Sequence, residues 1–160
     1  MSFAKAYGLN IEHVRPHGAM YKMAGEDFEF SAAIAKAIKK CSEWLVYYAP
    51  AGDITSRVSD YVNIQVAQEI CLEKTYNADL SIDYSVPDNT NNYELIKRFQ
   101  HLLHTSQIRN NLGGMTYTEA NTIHFSNKYP NSLDLIKEAR RLITPQPVNY
   151  INAKASGWVD

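Results

Sequence analysis

A chain of 160 residues, 45% hydrophobic and 21% charged, has the length of one domain and enough apolar surface for a core without staples. A net charge of −1 excludes the basic footprint of a nucleic-acid or anionic-membrane binder, and no apolar run approaches the roughly 20 residues of a membrane span. Met1 to Asn10 lacks an apolar h-region, so no signal peptide is expected, and Cys41 and Cys71 are expected as buried free thiols of a cytoplasmic protein.

In chain order, Ser2 to Tyr7 reads as the last turns of a helix, with Gly8 at the C′ position. Ile11 to Val14 is a short strand. Pro16 cannot donate to a ladder and marks its end, and Gly18 gives the following turn its freedom. Asp27 to Lys40 is the clearest helix, with Ile34, Ala35, Ile38 and Cys41 on one apolar face. The run Trp44 to Ala49 predicts a strand buried on both faces, as in a parallel sheet under helices. Pro50 to Asp53 is a turn, with Asp53 placed to cap a helix reaching Tyr61. Asn63 to Ile70 is ambiguous between strand and helix, and strand is the preferred reading.

Leu72 to Asn92 is a long polar loop, of the kind that is either functional or disordered. Tyr93 to Ile108 returns to helical spacing. Gly113-Gly114 marks a turn or hairpin over 110–118. Asn121 to Phe125 is a strand. Asn131 to Ile143 is a last amphipathic helix, with Leu133, Leu135, Ile136, Ala139, Leu142 and Ile143 on its inner side, and Pro145 and Pro147 stop it. The tail from Val148 to Asp160 is weakly patterned. Roughly four βα units predict an α/β fold with mainly parallel strands, arranged as an open sheet or as part of a closed barrel.

In such folds ligands bind at the carboxyl ends of the strands, which puts His17 on the functional rim as an acid, base or ligand. His13 is expected to pack structurally. His101 and His104, three apart on a helix, lack a third metal ligand nearby and read as surface histidines. His124 reads as a satisfied structural histidine. Glu69, Glu73 and Asp79 bracket a strand end and the long loop, where an acid is able to act as base or to orient a histidine. Lys128 follows the last strand and is suited to an anion. No phosphate loop, Gly-x-Gly-x-x-Gly, Cys-x-x-Cys or nucleophile elbow occurs.

His13-Val14-Arg15-Pro16-His17-Gly18-Ala19-Met20-Tyr21 resembles the His-Val-Lys-Pro-His-Gly-Ala-Leu-Tyr motif of the LamB/YcsF family, the bacterial 5-oxoprolinase A-subunits. Ser31 to Ile38 is similar to the Ala-Ile-rich helix that follows in the family, and Ala49-Pro50-Ala51-Gly52 to its strand-end turn. Glu69 with Glu73-Lys74-Thr75-Tyr76 and Asp79 resembles Glu-Val-Phe-Ala-Asp-Arg-x-Tyr…Asp-Gly. Thr122 to Leu133 resembles Thr-Ile-Cys-Val-His-Gly-Asp-Thr-Pro-Gly-Ala-Leu, with Ser126-Asn127-Lys128 standing where the family has His-Gly-Asp.

The resemblance implies a partial (β/α) barrel of the seven-stranded glycoside hydrolase/deacetylase-like type over residues 1–160. Family members run to roughly 250 residues, about one barrel. Their acidic N-terminal strand and Gly-Phe-His-Ala-Gly-Asp segment have no counterpart here, so an N-terminally truncated chain is expected. The implied activity is ATP-dependent opening of 5-oxoproline to glutamate with 5-oxoprolinase subunits B and C. ATP is implied by the resemblance alone, and the metal requirement is left open. His17, Glu69 and Asp79 are then the catalytic candidates, with Arg15, Gly18, Tyr21, Tyr76 and Lys128 around the substrate. The alternative is a non-catalytic remnant or binding subunit, completed as a homo-oligomer or by a separate N-terminal half. A metal-dependent deacetylase is a third reading, and the absence of a clear ligand triad argues against it.

Overall fold

The computed structural model describes residues 4, 6–126 and 131–143. Asn127, Lys128 and the weakly patterned tail lie outside the described residues. In chain order the elements are β1 (His13–Val14), α1 (Ala19–Glu26), α2 (Phe28–Cys41), β2 (Val46–Pro50), α3 (Asp53–Val62), β3 (Val66–Cys71), α4 (Asn92–Thr105), β4 (Gln107–Arg109), β5 (Met115–Tyr117), β6 (Thr122–His124) and α5 (Ser132–Ile143). The main sheet has the order β1-β2-β3-β6, parallel throughout, and β4 and β5 form a separate antiparallel pair. Each main-sheet strand lies beside the next parallel strand in the chain, as in a segment of a β/α barrel.

Helices cover one face of this sheet. Tyr47 and Ala49 of β2 pack with Ala32, Ala35 and Ile38 of α2 and Val58 of α3. Ile70 of β3 and the following Leu72 pack with Leu95, Phe99 and Leu102 of α4 and with Leu135 and Ala139 of α5. Strand alternation then sends Glu69 and Cys71 to the opposite face, where the register sets Glu69 beside Pro50 and Cys71 beside His124. His13 stacks on Tyr48, with ring centroids 4.4 Å apart, consistent with its expected packing role. Buried polar groups are matched: Gln68 accepts from Gly52 N–H at 3.0 Å and donates to Ser56 Oγ at 2.9 Å. Among the described residues no buried side-chain nitrogen or oxygen lacks a partner.

Several expectations need correction. The Arg15–Tyr21 motif runs directly into a helix, α1, because Gly18 supplies its N-terminal turn. That helix breaks at Asp27, whose extended backbone and side chain, accepting from Phe30 N–H at 2.9 Å, start α2. Trp44 lies in the turn before β2 and is 87% exposed, so the strand begins two residues later than its aromatic run suggested. The helix predicted to Ile108 ends at Thr105, where Ser106 takes φ 54°, and Ile108 belongs to the hairpin strand β4. Leu133, Ile136 and Ile143 of α5 are exposed, and Leu135 and Ala139 carry its buried face. Cys41 is free as expected and exposed at the end of α2, whereas Cys71 is free and buried. Gly8 takes φ 66° and Leu9 N–H donates to Ala4 O at 2.9 Å, the bonding of a helix C-terminus closed by glycine. Among the described residues no helix is long and apolar enough to cross a membrane.

Gly25 seats α1 against β2. A Cβ there would stand 3.1 Å from Pro50 Cβ and Cγ. Gly25→Val is expected to lower stability by about 1–3 kcal/mol in urea unfolding, because the branched side chain must push α1 off Pro50. An unchanged midpoint would contradict this packing.

Candidate functional site

Arg15 leaves the end of β1 and reaches across β2 to Glu69 on β3. Its Nε donates to Glu69 Oε1 at 2.9 Å and Oε2 at 3.1 Å, and its Nη2 donates to Oε1 at 2.7 Å. Glu69 is 4% exposed and Arg15 21%, so the carboxylate depends on this partner for compensation. Burial works against the Arg15 charge, but the hydrogen bonds and charge of Glu69 outweigh it and hold its pKa above the ordinary arginine value. The guanidinium also lies 4.2 Å from the centre of the Tyr21 ring, a cation–π contact that fixes α1 to the strand end. Gly18 makes this turn possible: at φ 60° and ψ −129° it begins α1, and its carbonyl accepts from Tyr21 N–H at 3.1 Å.

Beside this pair opens a cleft of about 320 Å³, within the range of small-ligand sites. The end of β1 contributes Arg15, His17 and Gly18, and α1 contributes Tyr21. The end of β3 contributes Cys71, Glu73 and Lys74, and β6 contributes His124 and the following Ser126. Ile82, Tyr84 and Asp88 come from the long loop. That loop is ordered: Asn89 N–H donates to Glu73 O at 2.8 Å, Asp83 N–H to Thr75 O at 2.8 Å, and Arg98 Nη1 to Leu72 O at 3.1 Å. Lys74 Nζ pairs with Asp88 Oδ1 at 2.6 Å, 5.5 Å from the centre of the Tyr84 ring. Glu73 Oε1 accepts from Ser126 N–H at 2.7 Å, joining β3 to β6 at their ends.

The protonation states follow from burial. Burial first, then Cys71 and Glu69, push the Tyr21 phenol far above its ordinary value. Burial and Glu69 push the Cys71 thiol up to about 12, so it is no thiolate nucleophile at neutral pH. Burial, followed by Arg15, pulls His124 below the ordinary histidine value, against the opposing charges of Glu69 and Glu73. The cleft thus offers neutral hydrogen-bond donors, two imidazoles and a lysine–aspartate pair around a volume suited to a small polar molecule.

Of the residues expected from sequence, Arg15, His17, Gly18 and Tyr21 line this cleft, and Glu69 underlies it through Arg15. Tyr76 is 1% exposed. Its hydroxyl accepts from Cys71 N–H at 2.7 Å, so it supports the cleft floor from within the core rather than lining the cleft. Asp79 stands apart. Its Oδ1 accepts from Ser81 N–H at 2.9 Å and Ser81 Oγ at 2.7 Å, and it borders a neighbouring hollow with Pro50 and Gly52. Those bonds hold its pKa below the usual aspartate value. Lys128 lies outside the described residues. His101 and His104 are exposed on α4, and His104 Nδ1 lies 2.6 Å from Gln100 O. Among the described residues no three His, Cys, Asp or Glu side chains converge as metal ligands. His124, Cys71, Tyr84 and Asp88 received no site role from the sequence. The available signal was strand parity, since Glu69, Cys71 and Glu73 are two apart and β6 ends beside them.

A family model described as LamB/YcsF family matches residues 1–156. The chain is 40% identical over 80 residues to the A-subunit of 5-oxoprolinase from Tolumonas auensis, covering 50% of this chain and 32% of that one. It is 33% identical over 125 residues to the corresponding 5-oxoprolinase A-subunit from Bacillus mycoides, covering 76% and 49%. The crystal structure of a lactam utilization protein from Thermus thermophilus superposes with a TM-score of 0.76 at 25% identity, covering 89% of this chain and 57% of that one. The alignments therefore span between 32% and 49% of these two curated relatives.

Two measurements check the site's electrostatics. Glu69→Ala leaves Arg15 charged and half-buried without its acceptor, and is expected to cost about 3 kcal/mol in denaturant unfolding, the lower end for a broken buried pair because Arg15 keeps some solvent. A loss below about 1 kcal/mol would contradict the pairing. The second concerns pH. Unfolded His124 binds a proton near its ordinary value and the folded one only below it, so between the two the unfolded state holds more protons. Stability should fall as pH drops through that window, and His124→Gln should flatten this part of the profile. Superimposable slopes would contradict the account of His124.

Proposed function

The chain belongs to the LamB/YcsF family, and we propose that its cleft is the lactam site of a protein resembling the 5-oxoprolinase A-subunit. In this reading it acts in the cytoplasm, with 5-oxoprolinase subunits B and C, in the ATP-dependent hydrolysis of 5-oxoproline to glutamate. The observation that carries the proposal is convergence. Arg15, His17, Gly18 and Tyr21 of the family-like motif meet Glu73, Lys74 and His124 at the carboxyl ends of three parallel strands of one sheet.

Lactam hydrolysis requires a water to be deprotonated and a nitrogen to leave with a proton. His17, exposed on the rim, carries an acid–base role. The Arg15–Glu69 pair holds the strand end and Tyr21 in place. Tyr21 and Tyr84 flank the ring of the ligand. Lys74, restrained by Asp88, receives its carboxylate. Asp79 has no part in this proposal, because its carboxylate is committed to Ser81.

A second reading is a binding subunit that completes its barrel with another copy or a separate chain. It is supported by the sheet edges: among the described residues β1 pairs with β2 alone and β6 with β3 alone.

The test is 5-oxoproline-dependent ATP hydrolysis with subunits B and C present. The native chain should turn over, and His17→Ala should lower kcat by about 10²–10⁴-fold. Turnover untouched by the substitution would remove His17 from its role. Absence of turnover in the native chain, with a stable complex by light scattering, would favour the binding subunit.

A further inference from the structure

We propose that His124 is a second catalytic histidine of the cleft, taking a proton from the attacking water while His17 delivers one to the leaving lactam nitrogen. The proposal rests on the lactam reading above and deepens it.

Three observations carry it. First, the register sets His124 beside Cys71, so strand alternation turns its imidazole to the face that holds Glu69 and Cys71, and it lines the cleft with His17. The charge of His17 is among those that act on His124. Second, both imidazoles border the cleft itself, His17 exposed and His124 half-buried, so both are placed to meet a ligand. Third, the two rings come from different strand ends, His17 after β1 and His124 on β6, and the cleft of about 320 Å³ lies against both. A ligand seated there borders both imidazoles, and separate acid and base roles need two such groups.

The surroundings divide the labour. Arg15 and His17 face His124 from the end of β1, and Glu69 and Glu73 face it from β3. Burial and Arg15 together favour the neutral ring, which is the form able to accept a proton at neutral pH. In the reaction the water proton passes to the unprotonated nitrogen of His124 as the water oxygen bonds to the lactam carbonyl carbon. The tetrahedral adduct then collapses, the carbon–nitrogen bond breaks, and the nitrogen's electron pair takes a proton from the His17 imidazolium. This step consumes one water, forms an amino acid with a new carboxyl group and carries no phosphoryl group, so the ATP of the proposed overall reaction acts in a separate step with subunits B and C. Exchange with solvent returns His17 and His124 to their starting states.

Imidazole nitrogen NMR on the ¹⁵N-labelled native chain tests this without relying on turnover. Spectra of His17→Gln and His124→Gln assign the two rings, and exposed His101 serves as the internal control. On titration with 5-oxo-L-proline, the His17 and His124 signals should move together and saturate at the same ligand concentration, with His101 still. Movement of His17 alone would overturn the role of His124 and leave the lactam reading intact. Movement of neither would overturn both. With subunits B and C present, His124→Gln should lower kcat at least 100-fold, near the low end of about 10²–10⁴ for a lost acid–base group, and abolish the fall of kcat/KM at acid pH. A kcat within twofold of native, with the acid fall retained, would overturn the proposal.

Discussion

The contact between Arg15 and Glu69 fixes the rest of the site. Glu69 is a carboxylate on a central strand with almost no access to water, and an isolated charge there would be strongly unfavourable. The guanidinium that compensates it comes from the end of β1, two strands away, so the ion pair sets how the edge strand lies against the sheet. The same guanidinium holds Tyr21 by its ring face, and Tyr21 sits on the helix that Gly18 begins. Strand end, turn and helix are thereby tied to one buried anion. His17 lies inside that loop of constraints, which is how a residue on an exposed rim is held next to residues from β3 and β6.

A second junction closes the other side of the cleft. Glu73 extends past the end of β3 and accepts from the backbone of Ser126, just past the end of β6. The long loop packs down through Tyr76, Leu80 and Ile82 and presents Tyr84 and Asp88 to the same cleft. Its polar composition reflects a set of local turns, with Asp79, Asp83 and Asn89 each accepting from a backbone N–H two residues on. The cleft is therefore walled by strand ends and by a loop that is itself hydrogen-bonded, an arrangement able to hold imidazoles and a lysine in fixed relation.

Much of this was legible in the sequence. The apolar run before Pro50 and the helical spacing after Asp27 each placed their elements, because each depends on local chemistry. The family-like motif also picked out Arg15, His17 and Tyr21. What escaped was set by tertiary contacts. α1 is eight residues long and without an acidic first turn, and it stands because Arg15 and Pro50 receive it. Ile108 follows the helical run of Leu95, Phe99 and Leu102, but Ser106 turns left-handed and pairing with Thr116 places Ile108 in a strand. Asp79 lies near Glu73 in sequence and far from it in purpose, since its neighbour Ser81 satisfies it first. His124 looked like an ordinary strand histidine until the register set it beside Cys71.

The central claim is that the cleft between His17 and His124, built on the Arg15–Glu69 pair, is where this LamB/YcsF family chain receives a lactam acid. A crystal structure of the chain grown with 5-oxo-L-proline tests it most directly. The account predicts the ring between His17 and His124 with its carboxylate toward Lys74 and the Arg15–Glu69 pair undisturbed. A ring seated instead in the hollow beside Pro50, Gly52 and Asp79, or an empty cleft at saturating ligand, would contradict it.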